Sequence, residues 1–196
     1  MGSRRCAALM LACGALVCGA ARSSDLGAPS LEQAPYVWEP FDEIRAGVFA
    51  HNLIHDEDAP VDLSIEALSS PLAIPGPSNP SVSWLLQPRL AVGGMINTGG
   101  KTSYAFAGFD WRIPIFGKLF FEGELGGAVN DAVRVPTWDR VDMGCALTFR
   151  ESGGFGLQMS ENWDVIVSVE HVSHASFCGG TNPGLTNFGL RIGYAF

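Results

Sequence analysis

Charge is scarce in this sequence. Asp, Glu, Lys and Arg make up only 16 % of its 196 residues, and the 12 basic ones form no run. With a net charge of −8 a nucleic-acid partner has no electrostatic footing, and none is expected. Long apolar runs are missing as well: past the N-terminus nothing is apolar over the ~18 residues that a membrane-crossing helix needs. Cysteine is sparse where it would count, because Cys6, Cys13 and Cys18 crowd the N-terminus and only Cys145 and Cys178 follow. Abundant instead are glycine, with 24 residues, and phenylalanine, with 12. That balance suits strands that approach closely and carry an aromatic interface better than it suits an acidic soluble enzyme.

The first residues read as a processing signal. "MGSRR" is a positive n-region, "CAALMLACGALVCGA" an apolar h-region, and Ala20 or Ala21 a small-residue cleavage site. The apolar run is too short for a spanning anchor, and "MLAC" is a poor lipoprotein match at Cys13. The expected division is a signal peptide over 1–21, a Pro-rich periplasmic leader over 22–40 and one domain over 41–196. Export to an oxidising compartment permits a disulfide between Cys145 and Cys178.

From there the chain breaks into segments of roughly 10 alternating residues, as membrane barrels do. Val61, Leu63, Ile65 and Ala67 oppose Asp62, Ser64 and Glu66; Phe188, Leu190, Ile192, Tyr194 and Phe196 oppose Asn187, Gly189, Arg191 and Gly193. A soluble sandwich alternates too, but its polar face is the outside. Here the polar face collects Asp62, Glu66, Asp110, Glu122, Glu124 and Glu170 with Arg89, Arg112 and Arg191, a set able to pair inside a narrow barrel. The pattern predicts an all-β fold, an eight-stranded antiparallel transmembrane β-barrel of the bacterial outer membrane. Its strands are expected near 42–54, 61–69, 83–97, 102–114, 118–129, 142–158, 164–175 and 185–196. Eight strands leave an interior just filled by side chains, so no pore is expected. The two longer loops, "NDAVRVPTWDR" and "SFCGGTNPG", would face outside, and the Pro-rich segment over 70–82 is long for a periplasmic turn. The terminal "GYAF" suits recognition by the barrel assembly machinery, whereas homodimer formation is left open.

In "VIVSVEHVSHASF" the face of Val165, Val167 and Val169 continues into His171 and Ser173. If that face meets lipid, an imidazole and a hydroxyl project outward near the extracellular end. Polar groups against hydrocarbon are costly and usually functional, though at headgroup level they cost little.

The C-terminal stretch resembles the outer-membrane lipid A 3-O-deacylase family, eight-stranded barrels that hydrolyse an ester-linked acyl chain of lipopolysaccharide. His171, Ser173 and Ala175 fall on its His-x-Ser-Asn-Ala pattern, Asn182 and Gly184 on its Asn-x-Gly, and Tyr194 and Phe196 on its final Tyr-x-Phe. "PRLAVGGMINTGGKTSYAFAGFDW" looks like its central hairpin. The resemblance implies Ser173 as nucleophile, His171 as general base, lipid A as substrate and no metal or organic cofactor. Two positions depart from it. Thr186 stands where the family carries its acid, and His174 stands where it carries an asparagine that helps bind the oxyanion. An oxyanion site from His174 and the backbone N–H of Ala175 remains available if the strand bends there. The alternative reading is a non-catalytic structural barrel that keeps the deacylase scaffold.

Elsewhere His51, His55, Asp56, Glu57 and Asp58 form a cluster with metal-ligand chemistry. His51 and His55 are too far apart along a strand to share an ion, so a solvated extracellular turn is the expectation.

Overall fold

The computed structural model describes residues 36–54, 57, 61–76, 79–135, 137–179 and 182–196. The expected signal peptide, most of the leader, and His55, Asp56 and Asp58 lie outside these residues.

Eight strands form: β1 (Glu43–Ala50), β2 (Asp62–Leu68), β3 (Arg89–Asn97), β4 (Tyr104–Phe116), β5 (Leu119–Asn130), β6 (Leu147–Gln158), β7 (Trp163–Ser173) and β8 (Leu185–Ala195). Each pairs antiparallel with the next, and β1 pairs with β8 to close the barrel. Closure removes the unpaired edges that a bilayer cannot satisfy. No helix of the described residues is long and apolar enough to cross a membrane.

Alternation places the side chains as the pattern predicts. Val48, Ile65, Val92, Phe109, Leu125, Phe155, Val167 and Leu190 stand exposed on the outer wall. Trp163, Tyr194 and Phe196 stack in a row at the turn end, with centroids 4.9 and 5.6 Å apart, where an interfacial aromatic belt belongs.

The interior is ionic. The Arg45 guanidinium donates to Glu43 at 2.6 Å, to both carboxylate oxygens of Glu122 at 2.8 and 2.6 Å, and to Glu66 at 3.3 Å. Arg191 reaches Glu170 at 2.6 Å and Glu66 at 3.2 Å, while Arg150 pairs with Glu124 and Glu170 and lies 3.6 Å from the Phe106 ring centroid. Bidentate guanidinium–carboxylate geometry keeps these charges in a narrow, dry space. A smaller apolar cluster, including Phe49, Met95, Tyr104 and Val172, fills the barrel toward its loop end.

Three boundaries differ from the alternation pattern. β1 stops at Ala50 because Asn52 takes a left-handed φ of 42°. β3 begins at Arg89 rather than near 83: Pro80 opens a helical turn, α1 (Pro80–Ser83), and a 3-10 turn follows over Trp84–Leu86. The Asn79 carbonyl accepts from Val82 and Ser83, and proline fits a first helical position. β6 begins at Leu147, not 142. Gly144 has a left-handed φ of 64°, and the Cys145 N–H turns back to the Met143 carbonyl at 2.6 Å, so the chain extends only afterwards.

Two residues of the expected solvated turn are not solvated. His51 and Glu57 are buried, with His51 Nδ1 2.8 Å from Asp62 and Nε2 3.1 Å from Glu57. This latch holds the loop over β8, where the Leu53 N–H donates to the Thr186 carbonyl at 2.8 Å. Burial pulls the His51 pKa down, but the bonds and charges of Asp62 and Glu57 outweigh it and raise it to about 9. Burial likewise raises the Glu57 pKa, and the bond and charge of His51 win and lower it.

Two predictions follow from these contacts. Arg45→Met, which takes from Glu43, Glu66 and Glu122 one of the buried cations that each shares, should lower the unfolding free energy by about 3–5 kcal/mol in urea titrations in detergent. The stability that His51 adds is complete below its unfolded pKa and is lost as pH rises through about 9. Proteolysis of the 51–61 loop should therefore accelerate between neutral pH and pH ~10, and His51→Gln should remove that dependence.

Candidate functional site

β7 carries the valine face outward and ends it in His171 and Ser173, while Glu170, Val172 and His174 point inward and are buried. Register decides what meets His171. On β8 its partner is Thr186, and on β6 it is Glu151.

His171 Nδ1 lies 2.8 Å from Thr186 Oγ1. With Nδ1–H donating to that hydroxyl, the Nε2 lone pair is left available, which is the tautomer a general base needs. Gly184 makes room for the ring. Its φ is +73°, and a Cβ there would sit 2.5 Å from His171 Cε1 and 3.0 Å from Nε2. Both the backbone conformation and the ring require glycine at this position.

His171, Ser173 and Ala175 line one recess of about 290 Å³ in the outer wall. Leu125, Phe149 and Phe177 supply its apolar sides, and Glu151 completes it. Phe149 and Phe177 pack with centroids 5.5 Å apart. Two residues apart on one face, His171 and Ser173 share the recess but form no hydrogen bond with each other in this arrangement.

The bend anticipated near residue 174 falls just beyond it, where Ala175 and Ser176 take left-handed φ values of 47° and 68°. Such values are uncommon for non-glycine residues and cluster at functional sites. Ala175 N–H donates no hydrogen bond among the described residues. The His174 ring, by contrast, does not line the recess, which corrects its expected oxyanion role. It is 1 % exposed, and its Nδ1 accepts from the Cys178 N–H at 3.4 Å. Inward parity on β7 puts it there. Its own N–H donates to Asn182 Oδ1 at 3.2 Å, so Asn182 braces the turn.

Cys145 and Cys178 form a disulfide with Cα atoms 6.0 Å apart. It ties the loop after β5 to the loop that carries Ala175 and Phe177.

Below Leu125 and Glu151 the wall opens into a second recess of about 390 Å³ that shares both residues. Gly123, in register with Gly153, leaves its floor bare, and Trp84, Leu85 and Trp111 close its far end. Trp111 Nε1–H donates to the Leu85 carbonyl at 3.2 Å, fixing the Pro-rich segment against the barrel wall.

Inside the barrel, Asp110, Glu122 and Glu124 bring carboxylate oxygens within 4.8 Å of one another, as a metal site would. The guanidinium groups of Arg45, Arg89 and Arg150 already occupy that position with ion pairs.

A family model described as lipid A 3-O-deacylase (PagL) matches residues 76–195. Among solved structures, the outer membrane enzyme PagL is similar at 18 % identity over 79 % of this chain and 99 % of that one, with a TM-score of 0.59. Neisserial surface protein A (NspA) is similar at 10 % identity over 82 % of this chain and 100 % of that one, with a TM-score of 0.50. At these identities the structures speak for the fold. No curated protein sequence matches the chain significantly.

Gly184→Ala should leave the barrel folded but push the His171 ring off Thr186. Imidazole nitrogen shifts measured by NMR in detergent micelles should show the Nδ1 hydrogen bond lost; unchanged shifts would contradict the role given to Gly184.

Proposed function

The chain belongs to the lipid A 3-O-deacylase (PagL) family of outer-membrane β-barrels, and on that premise we propose that it hydrolyses the 3-O-linked acyl ester of lipid A with Ser173 and His171. The observation that carries this reading is the shared recess: a hydroxyl, an imidazole of fixed orientation and an unused backbone N–H converge on the lipid-facing wall. His171 Nε2 takes the proton of Ser173 as its Oγ attacks the ester carbonyl. The Ala175 N–H donates to the oxyanion. Collapse releases the sugar-side oxygen, which receives the proton from His171 and leaves an acyl group on Ser173. Water, deprotonated by the same imidazole, then frees the fatty acid.

A substrate already resident in the outer leaflet enters laterally, so no internal cavity is needed. Leu125, Phe149 and Phe177 would contact the acyl chain beside the ester, and the recess floored by Gly123 gives the rest of the chain room along the wall.

A second reading, a structural barrel that has retired the site, draws on two observations. His171 and Ser173 are not hydrogen-bonded, and Thr186 brings no carboxylate to the ring. In serine-hydrolase triads the carboxylate is worth roughly 10⁴ in kcat. Apo geometry does not decide against a catalytic pair, because such bonds often tighten only with substrate bound.

Lipid A incubated with the refolded barrel should lose the mass of one hydroxyacyl chain, and Ser173→Ala should abolish that loss while keeping the heat-modifiable mobility of a folded barrel. Full activity in the variant would remove Ser173 from the mechanism. An unchanged spectrum with the folded wild type would favour the structural reading.

A further inference from the structure

The acid position on β8 is a threonine, yet a carboxylate stands on the other side of the same imidazole. Glu151 is the register partner of His171 on β6, as Thr186 is on β8. It lies on the outward face between Phe149 and Gly153, opposite Leu125 of β5, so its surroundings are the apolar wall. It lines the recess with His171 and Ser173. Among the described residues, no guanidinium, ammonium or hydrogen-bond donor engages its side chain. An unpaired carboxylate among lipid-facing side chains is costly, and a cost of that kind usually marks function. The barrel has cations to neutralise acids, but it spends them on the interior carboxylates.

We propose that Glu151 is a positioning residue for His171, supplying from β6 the negative charge that the family's acid supplies from β8. The inference rests on the deacylase reading above. The acid's two tasks are then divided between the two flanking strands. Thr186 accepts Nδ1–H and fixes the tautomer, but a neutral hydroxyl does little for a charged ring. Glu151 stabilises the imidazolium that forms when Ser173 gives up its proton. Directly opposed residues on antiparallel strands have Cα atoms ~4.5–5.5 Å apart, within reach of a glutamate side chain and a ring. Thr186, Gly184 and Ser173 also stand beside the ring, and Glu170 points into the barrel, so among the described residues Glu151 is the carboxylate placed for the task. A unit charge at about 5–6 Å, across an effective dielectric of about 20, is worth roughly 10²-fold in rate where positive charge builds on the ring in the transition state. That is less than a triad carboxylate delivers, so turnover should be slow but real.

The test measures lipid A deacylation by wild type, Glu151→Gln, Thr186→Glu and the double variant, each as a folded barrel. Glu151→Gln should lower kcat by about 10²-fold and leave KM within about twofold. Adding Thr186→Glu to Glu151→Gln should restore the lost rate, because the charge returns to the ring from the opposite strand. A merely structural glutamate would not be replaced from across the strand. Unchanged kcat in Glu151→Gln, or a loss confined to KM, would overturn the proposal, the latter by making Glu151 a contact to the substrate. Should wild type be active and Ser173→Ala inactive while Glu151→Gln matches wild type, this inference alone falls. An inactive wild type would overturn it together with the deacylase reading.

Discussion

An eight-stranded barrel is just wide enough inside for side chains to fill it, and in this protein interlocked arginines and carboxylates take up that space. Arg45, Arg150 and Arg191 each bind more than one acid, drawn from strands on different sides of the barrel. The network couples the strands across the interior. The chemistry proposed for this chain lies instead on the outer wall, where alternation dictates that most side chains be apolar.

That constraint gives the few polar outward positions their meaning. His171, Ser173 and Glu151 meet at one recess near the loop end, and Thr186 holds the histidine from the neighbouring strand. The loops above hold them there. The disulfide between Cys145 and Cys178 ties down the turn bearing Ala175, and the His51 latch brings the first loop onto β8 at Thr186. The turn over Trp84–Leu86, just after the Pro-rich segment, sits on the outer wall, where the Leu85 carbonyl accepts from Trp111 beside the lower recess. The same wall thus presents the recess of His171 and Ser173 and, beside it, a second recess lined by Trp84, Leu85 and Trp111.

Much of the fold was legible in the sequence, because a period of two reports which face each residue takes, and the interior charges share one face with few exceptions. The boundaries at Pro80, Gly144 and Asn52 were not, since local turns override alternation there. Along β7 the pairing of His171 with Ser173 could be read from parity alone. Glu151 could not be assigned to the site in that way. Parity marks it as a charge on the apolar face of "LTFRESGGFGLQ", which is a signal, but only register shows that it stands opposite His171. His174 shows the converse: inward parity already argued against its ring reaching the outer wall, and the turn at Ala175 comes one residue too late to change that.

The central claim is that Ser173 is an activated nucleophile on the lipid-facing wall. Its most direct test is labelling of the folded barrel in detergent with a long-chain fluorophosphonate, followed by peptide mass spectrometry. The account predicts one phosphonyl group per chain, on Ser173, with labelling slowed strongly by His171→Ala. A folded barrel left unlabelled at Ser173, or labelled at the same rate without the histidine, would contradict it.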